Sequence, residues 1–101
     1  MDQFGISEDK IVKLHSVFNL FPEIEQVIIY GSRALGRYKK FSDVDITLKG
    51  SSLTDSTLTK LIFAIDDLLL PYEFDISIYH HIKNCDVVDH IDRVGKVLYT
   101  K

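Results

Sequence analysis

Residues 28 to 48, IIYGSRALGRYKKFSDVDITL, contain two apolar runs with a glycine turn between them. The first run ends at Gly31 and Ser32, and the second alternates between apolar and polar residues. Alternation has the period of a β-strand, so Asp43 and Asp45 would project from the same face, roughly 6 to 7 Å apart. The stretch therefore predicts two strands, the second of which carries a pair of carboxylates.

The flanking sequence predicts helices and further strands from the spacing of its apolar residues. The predicted helices span about residues 8–20, 32–36, 58–70 and 86–93, and the predicted strands span residues 24–30, 43–49, 72–79 and 96–100. Ser7 precedes the first helix, while Pro71 and Gly95 end later ones. Because the end of the first strand, VIIY, is apolar on both faces, we expect it to lie in the centre of a sheet that is covered on both sides.

The composition fits a single domain that spans residues 1–101, with 46% hydrophobic and 27% charged residues. Cys85 is the single cysteine, and the N-terminus shows no signal-like apolar segment, so we expect a cytoplasmic protein. No apolar run approaches the length of a membrane span. The formal net charge of −3 argues against a general nucleic-acid binder. An anion would instead be bound locally, near a basic run formed by Arg33, Arg37, Lys39 and Lys40.

A third acid, Asp75, lies on a predicted strand with the same alternating design as the strand of Asp45. If the two strands are neighbours, three carboxylates converge. Two like charges about 4 Å apart repel by about 1 kcal/mol in water and about 4 kcal/mol at an effective dielectric constant of 20, so such a cluster favours a hard cation such as Mg²⁺ or Mn²⁺. Taken alone, these acids are more typical of a sheet face that is simply exposed to solvent.

The glycine turn favours the first of these two interpretations. Gly31 at the end of a buried strand allows another group to approach the backbone closely, and Ser32 offers a hydroxyl next to outward-facing amides. These are features of a phosphate-binding turn. A Walker-type loop is excluded because the chain contains no GxxxxGK[ST] motif. A phosphate-binding turn beside a metal-binding carboxylate pair indicates phosphoryl transfer.

The combination of Gly31-Ser32, ten further residues and Asp43-Val44-Asp45 resembles the GS…DxD signature of the DNA polymerase β-like nucleotidyltransferases. Phe74-Asp75-Ile76 resembles the segment that carries the third acid of that superfamily. The segments GSRALG and SDVDI look most like those of the minimal nucleotidyltransferases, the MntA-type antitoxins that accompany HEPN proteins. The resemblance covers roughly residues 24 to 79 and implies an α+β, two-layer nucleotidyltransferase fold, in which a mixed sheet of about four strands is flanked by helices.

The resemblance also implies the residues of the site. Asp43, Asp45 and Asp75 would be the catalytic acids and would hold Mg²⁺, as two ions, and Asp75 would help to activate the incoming hydroxyl. Gly31 and Ser32 would bind the phosphates of the nucleotide. We expect Arg33, directly after the turn, to contact the nucleotide as well.

The implied reaction is transfer of AMP from ATP to a hydroxyl, a tyrosine of a HEPN toxin that a neighbouring gene encodes, within a hetero-oligomeric complex. The alternative is a non-catalytic antitoxin that neutralises its HEPN partner by complex formation. A transferase that acts on small molecules or nucleic acids is disfavoured, because relatives with such acceptors carry further domains and 101 residues leave no room for them.

Histidine and cysteine residues outside this motif are weaker candidates for a site. His80 and His81 would face opposite ways on a strand, which disfavours a zinc site. Cys85 lacks a nucleophile motif, and a lone cysteine is more often a small packed side chain. For the basic residues after Arg33, a solvated loop and a contact with triphosphate or partner both stay open.

Overall fold

The computed structural model describes residues 3–39 and 42–101. Its elements follow one another as α1 (Glu8–Asn19), β1 (Gln26–Tyr30), β2 (Val44–Lys49), α2 (Asp55–Asp66), β3 (Phe74–Ile78), a 3₁₀ turn (Tyr79–His81), α3 (Cys85–Val94) and β4 (Lys96–Thr100). The sheet has the strand order β3-β2-β1-β4. β1 is antiparallel to β2 and β4, whereas β2 and β3 are parallel. The predicted α+β fold with a mixed four-stranded sheet is confirmed.

The connection from β2 through α2 to β3 explains the parallel pair. Two parallel strands need a crossover of a dozen or more residues, usually a helix, because the chain must return to the starting edge of the sheet. α2 fills this role and packs against α1 and β3. The pairing places Asp45 opposite Asp75 and Thr47 opposite Ser77. The crossover thus brings together two acids that are far apart in the sequence.

The main core lies on the face of the sheet that α1 and α2 cover. Apolar residues alternate inward along β1, β2 and β3, and they meet the apolar stripes of the two helices. The fully or nearly fully buried members include Leu14, Phe18, Val27, Ile29, Val44, Ile46, Leu48, Leu61, Ile65 and Ile78. Burial of each such side chain is worth about 1.5 to 3 kcal/mol. This core fixes the face to which the alternate, polar residues point.

The second face of the sheet is partly covered by α3, which contacts β1. Ile28 of β1 and Ile91 of α3 are both buried, and neither belongs to the main core cluster. Gly95 ends α3 close to Ile28, since a β-carbon at this position would lie 2.6 Å from the Ile28 Cγ2. β1 is therefore central and covered on both sides, as its sequence predicts.

The helix boundaries show what the sequence patterns capture and miss. α1 begins at Glu8, as predicted, and ends one residue before the predicted end. α2 begins at Asp55, earlier than predicted, because Thr54 caps it by accepting a hydrogen bond from the Thr57 amide. The predicted strands at 24–30, 43–49 and 72–79 exist but are shorter at their ends.

The short helix predicted for residues 32–36 is wrong. This segment forms consecutive turns instead, with Gly31 at φ +75° and Gly36 at φ +73°. The Arg37 amide donates to the Ser32 carbonyl at 2.8 Å, one residue further back than in an α-helix. Two left-handed glycines five positions apart leave too few residues between them for a stable helix.

Residues 3–6 form a tight turn, here called the N-terminal turn. Gln3 and Ile6 exchange both of their backbone hydrogen bonds, at 2.9 and 2.8 Å. Phe4 (φ 57°) and Gly5 (φ 75°) lie between them, and two successive positive φ angles are typical of a type I′ turn.

Within residues 3–39 and 42–101, no helix combines the length and the apolar character needed to cross a membrane.

Candidate functional site

A cavity of about 410 Å³ opens between the second face of the sheet and α3. Its volume lies within the range of about 300 to 1,000 Å³ that small-ligand sites occupy. Its walls come from the end of β1, the glycine turn, the two acidic strands and the first turns of α3. The lining residues are Tyr30, Gly31, Asp45, Asp75, Asp86, Val87 and His90.

Asp45 and Asp75 are direct neighbours across the parallel pair of strands. Adjacent strands lie about 4.8 Å apart, so both side chains start side by side on the second face. Both line the cavity. Asp43 precedes β2 and is exposed. The structure thus brings two of the three predicted acids together at the cavity, while Asp43 precedes β2 and acts on Asp45 through its charge.

The environment of Asp45 disfavours its negative charge. Burial raises the pKa of this carboxyl above its ordinary value, and the charges of Asp75 and Asp43 raise it further. The charge of His90, on α3, acts in the opposite direction and lowers the pKa of Asp45. Asp45 therefore lies in a locally negative field that a bound cation would relieve.

A magnesium site fits the chemistry of these side chains. Mg²⁺ prefers carboxylate oxygens and water, and Asp43, Asp45 and Asp75 offer such oxygens. In the part of the chain that the structure describes, no three acidic, histidine or cysteine side chains are already grouped as a metal site. The three-acid metal site predicted from the sequence therefore stays a prediction.

The glycine turn lies directly against the acids. Gly31 is left-handed, and a β-carbon at this position would overlap the Asp45 Oδ2. Only glycine both adopts this backbone readily and leaves room for the carboxylate. Ser32, which follows, is half-buried. The predicted phosphate-binding residues and one predicted metal ligand are therefore immediate neighbours.

Tyr30 and His90 line the cavity, and neither belongs to the site residues predicted from the sequence. Their rings meet edge to face, with centroids 6.2 Å apart. Burial raises the pKa of the Tyr30 hydroxyl, a hydrogen bond with Ser77 lowers it, and the charges of Asp75 and Asp45 raise it. Tyr30 could have been noted because it directly precedes Gly31, whereas the sequence gives no signal that His90 faces the acids.

Thr47 and Ser77, each two residues after one of the acids, form a pair of hydrogen-bonded hydroxyls. Ser77 Oγ donates to Thr47 Oγ1 at 3.0 Å, and Thr47 Oγ1 donates to the Ser77 carbonyl at 3.3 Å. Thr47 is completely buried, so these bonds satisfy a hydroxyl that would otherwise be costly to bury. The pair ties β2 to β3 two residues beyond Asp45 and Asp75.

The structure does not bring Arg33 into the cavity. Its side chain is only 1% exposed. The guanidinium donates to the Phe4 carbonyl at 2.8 Å and to the Ser42 carbonyl at 2.8 and 3.2 Å. The predicted nucleotide contact of Arg33 therefore has no support from its position.

The rest of the basic run is exposed where the structure describes it. Arg37, Tyr38 and Lys39 lie at the surface, and Lys40 lies outside the described residues. Tyr38 also packs on the Arg33 guanidinium, whose Cζ is 5.2 Å from the ring centroid.

His80, His81 and Cys85 are not among the residues that line the cavity. His80 and His81 belong to the 3₁₀ turn and not to a strand, and both are exposed. His81 Nδ1 lies 3.5 Å from Asp55 Oδ1. Cys85 is exposed at the start of α3, so the expectation of a packed cysteine is wrong.

Comparison with known proteins places this geometry in context. The family model for the polymerase beta nucleotidyltransferases matches residues 12–101. A search of curated protein sequences finds no significant match. Among solved structures, a chain of a toxin–antitoxin complex with AMP-PNP superposes with a TM-score of 0.71 and 21% identity, over 95% of this chain and 75% of the other.

Two further solved structures show the same architecture. A chain of the complex between a tri-AMPylated Shewanella oneidensis HEPN toxin and MNT antitoxin gives a TM-score of 0.62 at 19% identity, over 93% of this chain and 70% of the other. A protein of Sulfolobus solfataricus described as a nucleotidyltransferase gives a TM-score of 0.54 at 22% identity, over 91% of this chain and 79% of the other. At these identities the likeness establishes a shared fold.

Proposed function

Because this chain belongs to the polymerase beta nucleotidyltransferase family, we propose that it transfers AMP from ATP to a hydroxyl of a partner protein. The observation that carries the proposal is the register of Asp45 with Asp75, directly beside Gly31 and on the wall of one cavity. This arrangement combines carboxylates for a metal–triphosphate complex with a turn that a phosphate can approach closely.

Asp43, Asp45 and Asp75 are the residues that would hold Mg²⁺. A bound Mg²⁺ would neutralise the charge of the triphosphate and make the α-phosphorus more electrophilic. The Gly31 and Ser32 backbone, with the Ser32 hydroxyl, would hold the phosphates. Asp75 is exposed at the cavity and would accept the proton of the incoming hydroxyl. The acceptor oxygen forms a bond to the α-phosphorus, the bond to the bridging oxygen breaks, and pyrophosphate leaves.

The proposed acceptor is a tyrosine of a HEPN toxin, with this chain as the antitoxin. Two of the similar solved structures are described as toxin–antitoxin complexes, one with AMP-PNP and one with a tri-AMPylated HEPN toxin. The chain aligns over 70–75% of the corresponding chains in these complexes. A partner encoded by a neighbouring gene would supply the acceptor hydroxyl.

A second candidate is a non-catalytic antitoxin that inhibits its HEPN partner by complex formation. It is favoured by the toxin–antitoxin structures among the similar solved structures, because binding of a partner requires no turnover. In this case the acids would be present without turnover, and inhibition would require only the complex.

One transfer experiment separates the two candidates. The protein is mixed with the product of its neighbouring gene, Mg²⁺ and ATP labelled at the α-phosphate, and the mixture is repeated with Asp43→Asn and with Asp45→Asn. We expect label on the partner with the wild type and a loss of about 100-fold or more in both variants.

The matched control is Asp89→Asn, which removes an exposed carboxylate on α3 that is paired with Arg93. We expect this variant to transfer label like the wild type, since exposed ion pairs contribute little. A partner that stays unlabelled but is still bound and inhibited would reject the enzyme and support the non-catalytic antitoxin.

A further inference from the structure

We propose that Arg33 is a positioning residue that holds the glycine turn, the segment of Asp43 and the strand of Asp75 in one fixed arrangement. The inference rests on the proposed function, because the elements that Arg33 joins are those that carry the predicted catalytic residues. Its basis is the set of contacts that a single buried side chain makes with each of these elements.

The first contact joins the glycine turn to the segment of Asp43. Arg33 lies two residues after Gly31, and its Nε and Nη2 donate to the Ser42 carbonyl at 3.2 and 2.8 Å. Two donors on one acceptor fix the planar guanidinium in direction as well as in distance. Ser42 directly precedes Asp43, so the bond sets the position of the acid relative to the phosphate-binding turn.

The second contact joins the same guanidinium to the segment before β3. The Arg33 Cζ lies 4.7 Å from the centroid of the Tyr72 ring. Tyr72 precedes β3, and its hydroxyl donates to the Gly5 carbonyl at 3.4 Å. Cation–π contacts of a desolvated guanidinium are among the stronger ones of their kind. Arg33 therefore also restrains the approach to Asp75.

The third contact fastens the N-terminal turn onto this assembly. Arg33 Nη1 donates to the Phe4 carbonyl at 2.8 Å. A β-carbon at Gly5 would overlap the Tyr38 ring and would lie 2.9 Å from Arg33 Nη1, so the turn packs closely on the guanidinium. The N-terminal turn thus closes the remaining side of the guanidinium and excludes water from it.

The partners of the Arg33 guanidinium indicate that it has a structural role. Among the described residues, its hydrogen-bond acceptors are backbone carbonyls, and its other close partners are the faces of Tyr38 and Tyr72. A buried cation without these partners would be strongly unfavourable, so the surrounding backbone must keep its arrangement. Nε, Nη1 and Nη2 each donate to one of these carbonyls, and Arg33 is not among the residues that line the cavity.

The test compares Arg33→Met, which keeps the length of the stem but removes the donors, with Arg93→Met as the matched control. Arg93 is exposed on α3 and paired with Asp89. The folded fraction, the dissociation constant of ATP and the rate of label transfer per folded molecule are measured for each protein. We expect Arg33→Met to lose about 100-fold in rate, as for an acid displaced by about 1 Å, while its ATP affinity stays within about threefold. Arg93→Met should match the wild type in both.

Two outcomes would overturn the proposal. An unchanged rate per folded molecule would show that the guanidinium positions nothing. A loss of ATP affinity that accounts for the whole loss of rate would show that Arg33 binds the nucleotide itself. If Arg33→Met does not fold, Tyr72→Leu removes the ring under the guanidinium and keeps an apolar side chain, and it must show the same split between rate and affinity in weaker form.

Hydrogen exchange gives a readout that does not depend on activity. The Val44 amide, directly after Asp43, donates to the Glu73 carbonyl at 2.8 Å and reports on the junction of the two acidic strands. In the weaker variant Tyr72→Leu as in Arg33→Met, we expect its protection to fall about tenfold relative to the Leu48 amide of the same strand. Equal changes at both amides would contradict local positioning. A wild type that transfers no label would reject the proposed function, and the exchange ratio would still decide the role of Arg33.

Discussion

The Asp45 carboxylate lies directly against Gly31, where it occupies the position that a β-carbon on residue 31 would take. Gly36 has almost the same backbone angle, φ +73° against +75°, but its β-carbon would meet no atom within 4 Å. The two glycines therefore separate the effect of a left-handed backbone from the effect of crowding at the acid.

We predict that Gly31→Ala loses both activity and stability, whereas Gly36→Ala loses only stability. A left-handed alanine costs about 1 to 2 kcal/mol at either position. At position 31 the methyl group also displaces Asp45, and a displaced acid costs about 100-fold in transfer rate. Urea unfolding and label transfer measure the two effects. Equal transfer rates in the two variants would contradict the close approach of Gly31 and Asp45.

The negative field around Asp45 leads to a second prediction. Asp45→Asn should leave the metal-free protein at least as stable as the wild type, because it removes a partly buried charge whose pKa is raised by burial and by Asp75 and Asp43. In millimolar Mg²⁺ the wild type should gain stability in proportion to RT ln(1 + [Mg²⁺]/Kd), and the variant should gain none.

Thermal unfolding in EDTA and in MgCl₂ measures both parts of this prediction. Asp89→Asn, on the exposed side of α3, should follow the wild type under both conditions. If Asp45→Asn gained as much from Mg²⁺ as the wild type, Asp45 would not be a ligand.

The caps of α1 and α2 lead to a third prediction. Thr54 Oγ1 accepts a hydrogen bond from the Thr57 amide at 3.2 Å, whereas Ser7 occupies the same position of α1 without such a bond. Thr54→Ala should therefore lower the free energy of unfolding by about 1 kcal/mol, and Ser7→Ala by clearly less. Urea denaturation of both variants tests the difference, and equal losses would show that cap geometry does not decide the effect.

A fourth prediction concerns pH and Tyr79. The Tyr79 hydroxyl donates to Asp92 Oδ1 at 2.7 Å, and this hydrogen bond raises the pKa of Tyr79, with smaller contributions from burial and the Asp92 charge. At pH values below the ordinary tyrosine pKa of about 10, the hydrogen bond makes its full contribution to the stability of the fold. This contribution is lost as the pH rises through the raised pKa of Tyr79.

Asp92→Asn should move the pKa of Tyr79 back down toward its ordinary value. Ultraviolet titration of each protein against its Tyr79→Phe counterpart isolates this tyrosine from the others. Asp89→Asn changes a neighbouring carboxylate that does not contact Tyr79 and should leave its titration unchanged. A Tyr79 pKa that is the same with and without Asp92 would refute the assignment of cause.

The regular elements were predictable from the sequence because each has its own period. Apolar spacing placed α1 within one residue at its end, and the strict alternation of residues 43–49 gave the inward and outward faces of β2. The start of α2 was missed because its first turn is polar, and its signal is the cap at Thr54 and not an apolar stripe. The sequence therefore predicts those elements whose structure is determined by residues close together in the chain.

Arg33 and His90 show what local patterns cannot contain. In the sequence, Arg33 reads as the first residue of an exposed basic run, but Phe4 and Ser42 provide the carbonyls that bury it. His90 lies on a helix whose existence was predicted, yet only the packing of α3 on β1 turns it toward Asp45. The partners of both residues are distant in sequence, and no spacing rule links them.

The parallel register of β2 and β3 decides which side chains of β3 reach the cavity. A slip of β3 by a single residue would turn Asp75 into the core and Phe74 toward the cavity, since successive residues of a strand face opposite ways. An insertion or deletion of one residue within β2 or β3 would therefore turn an acid away from the cavity, whereas the connections on either side of α2 can change in length without moving Asp45 or Asp75. Across homologues of this chain, we expect length variation to be absent from β2 and β3 and to accumulate in the connections.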